Sequence, residues 1–404
     1  MKWETMKLSD CCNSIADGDH QPPPKANQGI PFVTIANINS FNEFDFSDTM
    51  YVPDEYYQNL ASKRKAQKGD VLYSVVGSFG IPVLIKDNKP FVFQRHIAIL
   101  RPNENIISSF LYYTMLSKNF YSKADAVALG AAQRTISLTS LRNIEIQVPT
   151  VQFQHKVVDI LSAYDNLIEN NQKQIKLLEE AAQRLYKEWF VDLRFPGHET
   201  TPIVNGIPEG WIKSTFIDVC SKINAGGTPS RGKSEYWENP SIKWFKTGEL
   251  LDEWLIDSEE MISEDGLFNS SAKLFPKNTI AMAIYASPTL GRLGIFESTS
   301  ACNQAMLCML ADERKVTWQW LFFKLYENRE KFNAIANGAG QQNISSDTVK
   351  KTAIILPPKQ IIDLFTNQVK ADFDKRLILH KQIKSLTEAR NRLLQKLMSG
   401  EIEV

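Results

Sequence analysis

The chain has 404 residues, with 46 Lys and Arg against 46 Asp and Glu, so its formal net charge is zero. Its 43% apolar and 23% charged content is that of an ordinary globular protein, and the length favours two or three domains over one. Five cysteines, two of them adjacent (Cys11, Cys12), make neither a disulfide framework nor a CxxC metal pair. The five histidines (His20, His96, His155, His198, His380) are scattered without an HExxH, so no metal site is expected. The opening residues lack the apolar core of a signal peptide, and no apolar run approaches the roughly 18 residues of a membrane span, so a reduced, cytoplasmic location is expected.

In chain order, the stretch from Trp3 to about Pro149 reads as β-rich. Short apolar or alternating runs, at Phe32 to Ile35, Val71 to Val76 and Ile144 to Val148, are punctuated by Gly, Pro and Asn. One helical stretch is expected around Ser109 to Tyr121. After Pro149 the pattern changes: Val157, Leu161, Tyr164, Ile168, Asn171, Ile175, Leu178, Ala182, Leu185 and Trp189 keep an unbroken 4-3-4-3 spacing, the mark of a heptad seam. A Pro-, Gly- and Thr-rich linker follows, from Phe195 to Gly210. A second β-rich stretch then carries runs at Thr279 to Ile284 and Thr352 to Leu356. After Pro357-Pro358 another helix begins, with Phe365 and Val369, a stumble at Asp372 and Arg376, then Leu379, Ile383, Leu386, Leu393 and Leu397. Phe373 and Leu377 beside the stumble point to an apolar face displaced by one residue.

The two stretches are copies of one plan. Trp3 to Asp10 sets against Trp211 to Asp218 at an offset of 208, and the same offset pairs Ala128 to Gln133 with Ala336 to Gln341, Ile136-Ser137 with Ile344-Ser345, and Pro149 with Pro357. Lys173 to Lys176 returns as Lys381 to Lys384. In between, Gly29-Ile30-Pro31-Phe32 matches Ser241-Ile242-Lys243-Trp244 only at an offset of 212. So long a period is an internal duplication of a domain and the helix after it. Mixed short strands with few helices make each copy α+β. Two seams of equal length are natural partners, and each helix of about 40 residues would span roughly 60 Å.

Catalytic signatures are few. Residues Gly227 to Ser234 match the phosphate-binding pattern G-x4-G-K-S in full. That pattern acts only between a buried strand and a helix whose free N–H groups hold phosphate. Here the preceding residues make a poor buried strand, Pro229 removes a donor, and Pro240 follows too soon for a helix. A GxSxG elbow, a GxGxxG after a strand and the Asn/Asp-Pro-Pro-aromatic motif of an amino-methyltransferase are all missing. A non-enzyme is expected.

Binding features remain. Two glycine-bearing loops at matching places present Gln133 and Arg134 in the first copy and Gln341 and Gln342 in the second. Amide and guanidinium groups suit base edges, Gln to adenine and Arg to guanine. Arg95 and His96, with Gln304 at a comparable place, would point into the same groove. Lys63, Arg64 and Lys65, with Lys68, form a basic cluster suited to phosphate, and Ser230, Arg231 and Lys233 lie in the decoy loop. The bland alternatives are solvated turns and faces, and a satisfied structural histidine at His96. Tyr56-Tyr57 and Tyr112-Tyr113 read as core. A protein that held DNA alone through phosphates would be basic, and this chain is not; a partner would have to supply much of that grip.

Taken together, the segment Ile207-Pro208-Glu209-Gly210-Trp211, the run Gly226-Gly227-Thr228-Pro229-Ser230 with Tyr236-Trp237 and Ile242-Lys243-Trp244, and the repeated Gly-x-x-Gln, Ile-Ser and Pro before each helix resemble the specificity subunit of type I restriction–modification systems across essentially the whole chain. The first copy departs from the Gly-Gly-Thr-Pro form, with Asp17-Gly18-Asp19-His20-Gln21-Pro22 instead. The resemblance implies target recognition domains at residues 1–150 and 211–357 related by a pseudo-twofold, long helices at 151–195 and 358–404, and a linker at 196–210. It implies an antiparallel coiled coil, with Leu161, Ile168, Ile175, Leu178 and Leu185 facing Val369, Leu379, Ile383, Leu386 and Leu393. Each domain would read one half of a split double-stranded DNA sequence, and the helices would fix the gap. It implies two methyltransferase subunits bringing S-adenosylmethionine, restriction subunits bringing ATP and Mg, and no cofactor on this chain. The rival reading is a two-domain coiled-coil scaffold that binds proteins and no DNA.

Overall fold

The computed structural model describes residues 3–20, 23–130, 133–285, 289–336 and 343–402. It divides into two compact units, one of Met1–Ile168 with Ser385–Val404 and one of Glu169–Lys384. Each unit holds one mixed α+β domain with the near part of the long helix that follows it and the far part of the other.

In the first unit, Glu4–Lys7 pairs antiparallel with Glu145–Val148, so the two ends of the domain close on each other. Between them lies a four-stranded antiparallel sheet in the order Cys12–Asp17, Ile97–Pro102, Val71–Ser74, Pro82–Leu84. A three-stranded sheet follows the order Met50–Val52, Ile30–Val33, Val92–Phe93, the last pair parallel. Val71–Ser74 is buried along its whole length, which is why it reads as a continuous apolar run and not an alternating one.

The second unit repeats this strand by strand. Ile212–Thr215 pairs with Ala353–Leu356. The larger sheet runs Cys220–Ala225, Met306–Ala311, Ile280–Ala283, Leu293–Phe296, and the smaller Glu260–Ile262, Ile242–Phe245, Ala301–Cys302. Among the described residues one strand has no counterpart in the first unit's sheet: Glu253–Leu255 adds a fifth at the edge, parallel to Leu293–Phe296.

The repeated motifs have local reasons. Ile136 and Ile344 are each 2% exposed, and each donates its N–H to the end of a central strand, at Val75 and Ile284. Ser137 and Ser345 are then N-caps, their hydroxyls accepting from Ser140 and Thr348 at 3.0 Å. Gly18 and Gly226 occupy the same spot. A Cβ there would lie 2.2 Å from Phe93 O in one unit and 2.4 Å from Cys302 O in the other, so only glycine lets the chain pass.

Both long helices have 40 residues, Val151–Phe190 and Lys359–Met398. In the first unit Val157 and Leu161 share a core with Leu394 and Leu397, and Asp165 meets Arg390 at 2.6 Å. In the second, Asn171 donates to Gln382 at 3.4 Å, and Ala182, Tyr186, Trp189 and Phe190 pack with Ile362, Phe365, Val369 and Phe373. In both units low numbers on one helix meet high numbers on the other, so the helices run antiparallel. The expected seam residues Leu161, Ile168, Ile175, Val369, Leu379 and Ile383 are buried, whereas Leu178, Leu185, Leu386 and Leu393 are half-buried. Leu394, 1% exposed, takes the central place the spacing assigned to Leu393. The stumble resolves in the same way, because Phe373 and Arg376 are both fully buried.

Two further expectations change. The single helix around Ser109 to Tyr121 is two, Ser108–Leu116 and Lys118–Val127, because Ser117 is extended and caps the second by accepting from Phe120 N–H. Tyr112 and Tyr113 are core, but Tyr56 and Tyr57 are only half-buried, with Tyr56 donating to Asp19. Burial pushes the Cys11 thiol up to about 11 and those of Cys12 and Cys220 to about 12, so all three stay protonated and inert.

Candidate nucleic-acid interface

In the first unit the sheet register builds a polar recess. Asp17 ends one strand and stands opposite Ala98, so the turn Gln94 to His96 that leads into the partner strand lies beside it. Gly18 N–H donates to Ile97 O at 3.1 Å and Arg95 N–H to Asp19 O at 2.9 Å, which pins the turn to the strand end. The loop at residue 133 closes the other side, since Leu129 and Thr135 exchange both backbone hydrogen bonds and Val76 bridges to Thr135. The result is a recess of about 380 Å3 lined by Asp17, His20, Arg95, His96, Gln133, Thr135 and Ser137 over a floor of Val75, Val76, Ile136 and Leu138. His20 Nε2 lies 2.6 Å from Asp17, and Arg64 approaches the other carboxylate oxygen at 3.5 Å.

This arrangement brings together Arg95, His96, Gln133 and Arg64, four of the residues expected from sequence. Arg95 and Gln133 are exposed, and His96 is half-buried. Asp17 and His20 line the same recess although only the resemblance drew attention to them; their spacing of three residues was the available signal. Lys63 is exposed beside Arg64, while Lys65 donates to Gln58 O at 2.7 Å and lies 5.1 Å from the Tyr57 ring. Arg134 is placed differently from expectation. It pairs with the Asp125 carboxylate at 2.9 Å, donates to Asp125 O and lies over Phe79, so it braces the loop that presents Gln133.

The second unit offers the same frame with other chemistry. Asp17 and His20 are replaced at the 208 offset by Ala225 and Thr228, and by strand register Gln304, two residues after Cys302, stands where Arg95, two after Phe93, does. Thr228 donates its hydroxyl to the Gln304 side chain, and Gln304 is exposed. Gly227 is held tightly: a Cβ would meet Ser271 O at 2.0 Å, and Trp244 Nε1 donates to Gly227 O at 3.0 Å. Ser230 is exposed and its carbonyl accepts from Trp237. Arg231 lies 3.8 Å from the Trp237 ring centre and is paired with Glu260, whose carboxyl it holds below the usual range. Lys233 donates to the Tyr236 hydroxyl at 3.0 Å, a bond that raises its pKa. Gln341 and Gln342 lie outside the described residues.

The G-x4-G-K-S stretch is a decoy by geometry. Its preceding strand is antiparallel to Met306–Ala311, and it leads into a three-residue 3-10 turn, Ser234–Tyr236, and then strand Ile242–Phe245. A second recess of about 400 Å3 in this unit is lined by Glu235, Glu238, Glu264 and Asp265, which would repel phosphate. Among the described residues no three His, Cys, Asp or Glu side chains could hold a metal, and no helix is long and apolar enough to cross a membrane.

The fold thus defines a class: a duplicated α+β protein whose two domains present unlike polar surfaces on like frames. The sequence model of the type I restriction modification DNA specificity domain matches residues 1–180 and again 208–392, and the chain belongs to that family. It is 26% identical to the MjaIX type I restriction enzyme specificity subunit of Methanocaldococcus jannaschii, over all of this chain and 94% of that one. It is 23% identical to the HindI specificity subunit of Haemophilus influenzae, over 99% of each. The fold matches the crystal structure of a type I restriction-modification S subunit from M. genitalium with a TM-score of 0.58, covering 98% of this chain and 96% of that one at 16% identity.

Proposed function

We propose that each domain of this DNA specificity subunit reads one half of a split double-stranded target, while the paired helices set the spacing between the halves. The observation that carries the reading is the contrast just described. The frame repeats at offsets of 208 to 212, yet Asp17, His20 and Arg95 in one copy stand where Ala225, Thr228 and Gln304 stand in the other. Like frames place the two readers equivalently, and unlike side chains let them read different letters. In the first unit Gln133 and Arg95 contact bases, with His96 beside them, and Arg64 and Lys63 meet phosphate. In the second, Gln304 and the loop from Thr228 to Lys233 take that part, with Gln341 and Gln342.

The chain itself carries no catalytic step in this reading. Two methyltransferase subunits bring S-adenosylmethionine, and restriction subunits bring ATP and Mg. The zero net charge of the chain fits a reader whose partners supply most of the phosphate grip. The test is modified-base sequencing of cells carrying this gene with its methyltransferase gene, against the same cells without it. A split motif methylated only in its presence is expected. A Gln133→Ala variant then relaxes one position of one half-site, by the roughly 1–3 kcal/mol of a base contact, and leaves the other half-site intact. An unchanged methylation pattern with soluble protein refutes the reading.

A further inference from the structure

The edge strand Glu253–Leu255, which the first unit's sheet lacks, carries a carboxylate to the second long helix. Glu253 accepts from Arg376 Nη2 at 2.5 Å and lies 3.1 Å from His380 Nε2. The Arg376 side chain is 1% exposed, in a seam that is mostly apolar. Two more pairs extend the line along the helix, Lys381 to Glu297 at 2.7 Å and Lys384 to Asp257. The strand is itself tied down from the other side, where Asp252 pairs with Arg329.

Attachment does not require these charges. Trp254 packs on Trp318 at 5.3 Å, and Trp318 on Phe373 at 4.9 Å, so an apolar contact already joins domain and helix. Apolar contact is non-directional and tolerates sliding. A buried ion pair adds little stability, and here Nε and Nη1 of Arg376 find no hydrogen-bond partner among the described residues. What a buried polar residue in a helical seam does best is specify register.

We propose that Arg376 and Glu253, with His380, are positioning residues that lock the second recognition domain at one axial place on the helix and so set the spacer the subunit accepts. The proposal rests on the reading that the helices act as a ruler. One helical turn of slip, about 5.4 Å, equals roughly one and a half base-pair steps of about 3.4 Å, enough to change the preferred gap by a base pair or two.

The experiment uses the full chain in complex with its methyltransferase and a plasmid library in which the two half-sites are separated by every spacer from two below to two above the native length. In the double variant Glu253→Met with Arg376→Met, the apolar pair replaces the ionic one, a change that is often neutral or stabilising. We expect unchanged half-site letters and methylation of neighbouring spacers raised about tenfold over wild type. A second variant, Lys381→Ala with Lys384→Ala, removes two half-exposed rungs without touching the core and should broaden the profile less. A folded double variant with the wild-type spacer profile, or with altered half-site letters, overturns the proposal. A wild type that methylates every spacer equally refutes the ruler instead, and the proposal falls with it.

Discussion

The sharpest test of the helix packing is a pair of neighbouring substitutions, Phe365→Ala and Leu364→Ala. Phe365 is fully buried, and its ring centre lies 5.1 Å from that of Phe190, 5.9 Å from Tyr186, 6.0 Å from Phe323 and 6.1 Å from Trp189. Leu364, one residue away, is 46% exposed. Truncating a buried Phe costs about 3–5 kcal/mol. Four edge or tilted ring pairs, each worth about 0.5–1.5 kcal/mol beyond its area, place Phe365→Ala at the upper end. Leu364→Ala should stay within about 0.5 kcal/mol. Urea unfolding followed by tryptophan fluorescence reads this directly, because Trp189, Trp211 and Trp320 share the core with Phe365. With a slope of about 2 kcal/mol per molar urea, a loss of about 4 kcal/mol lowers the midpoint by about 2 M. Equal shifts for the two variants, or less than about 0.5 M for Phe365→Ala, would refute the assigned face of the helix.

Three further outcomes follow from the packing and charge already described. Gly226→Ala drives a Cβ to 2.4 Å from two backbone oxygens, while Gly232→Ala meets nothing nearer than 3.9 Å, so the first should lower the melting temperature and the second leave it unchanged; nucleotide binding lost in Gly232→Ala would revive the phosphate-loop reading. Asp70, 1% exposed, holds Arg101 through two bonds at 2.9 and 2.8 Å, and Asp70→Ala should destabilise the first unit by roughly 3–5 kcal/mol, with Asp70→Leu in an Arg101→Met background recovering much of it by denaturant titration. Burial works against the charge of Glu253, yet His380 and Arg376 hold its carboxyl below the usual range. A depressed folded pKa contributes stability above the unfolded value, about 4.3, and loses it as pH falls through the folded one. The wild type should therefore lose more stability between pH 6 and 3 than Glu253→Gln, measured by urea midpoints; equal losses would count against the ion pair.

Much of the architecture was legible without coordinates because it rests on local periodicity. The 4-3-4-3 spacing from Val157 to Trp189 is a property of one helix, and it needed no partner to be seen. The duplication was legible because Ile-Ser, the strand-ending prolines and the flanking Trp do the same local work in both copies: a buried Ile, a serine cap, a helix start. Leu393 packs at the margin of the core that holds Leu161, and only packing shows that its neighbour Leu394 takes the central place. Arg376 looked like an interruption of the seam, since sequence cannot show that a carboxylate on a strand more than a hundred residues earlier meets it.

The candidate site was less legible, for the same reason. Gln133, Arg95 and His96 were visible as polar residues in loops, a description that fits many surface turns. Strand pairing between Asp17 and Ala98, and the bridge from Val76 to Thr135, converts them into one recess. The loop closed by that bridge also commits Arg134 to Asp125. Sequence by itself determined the repeated plan and the helical seams, because these follow from short-range steric and hydrophobic periodicity. Which side chains share a recess, and which cations are already spent on neighbouring groups, was decided only by the tertiary structure, because long-range register brings together residues whose separation along the chain carries no signal.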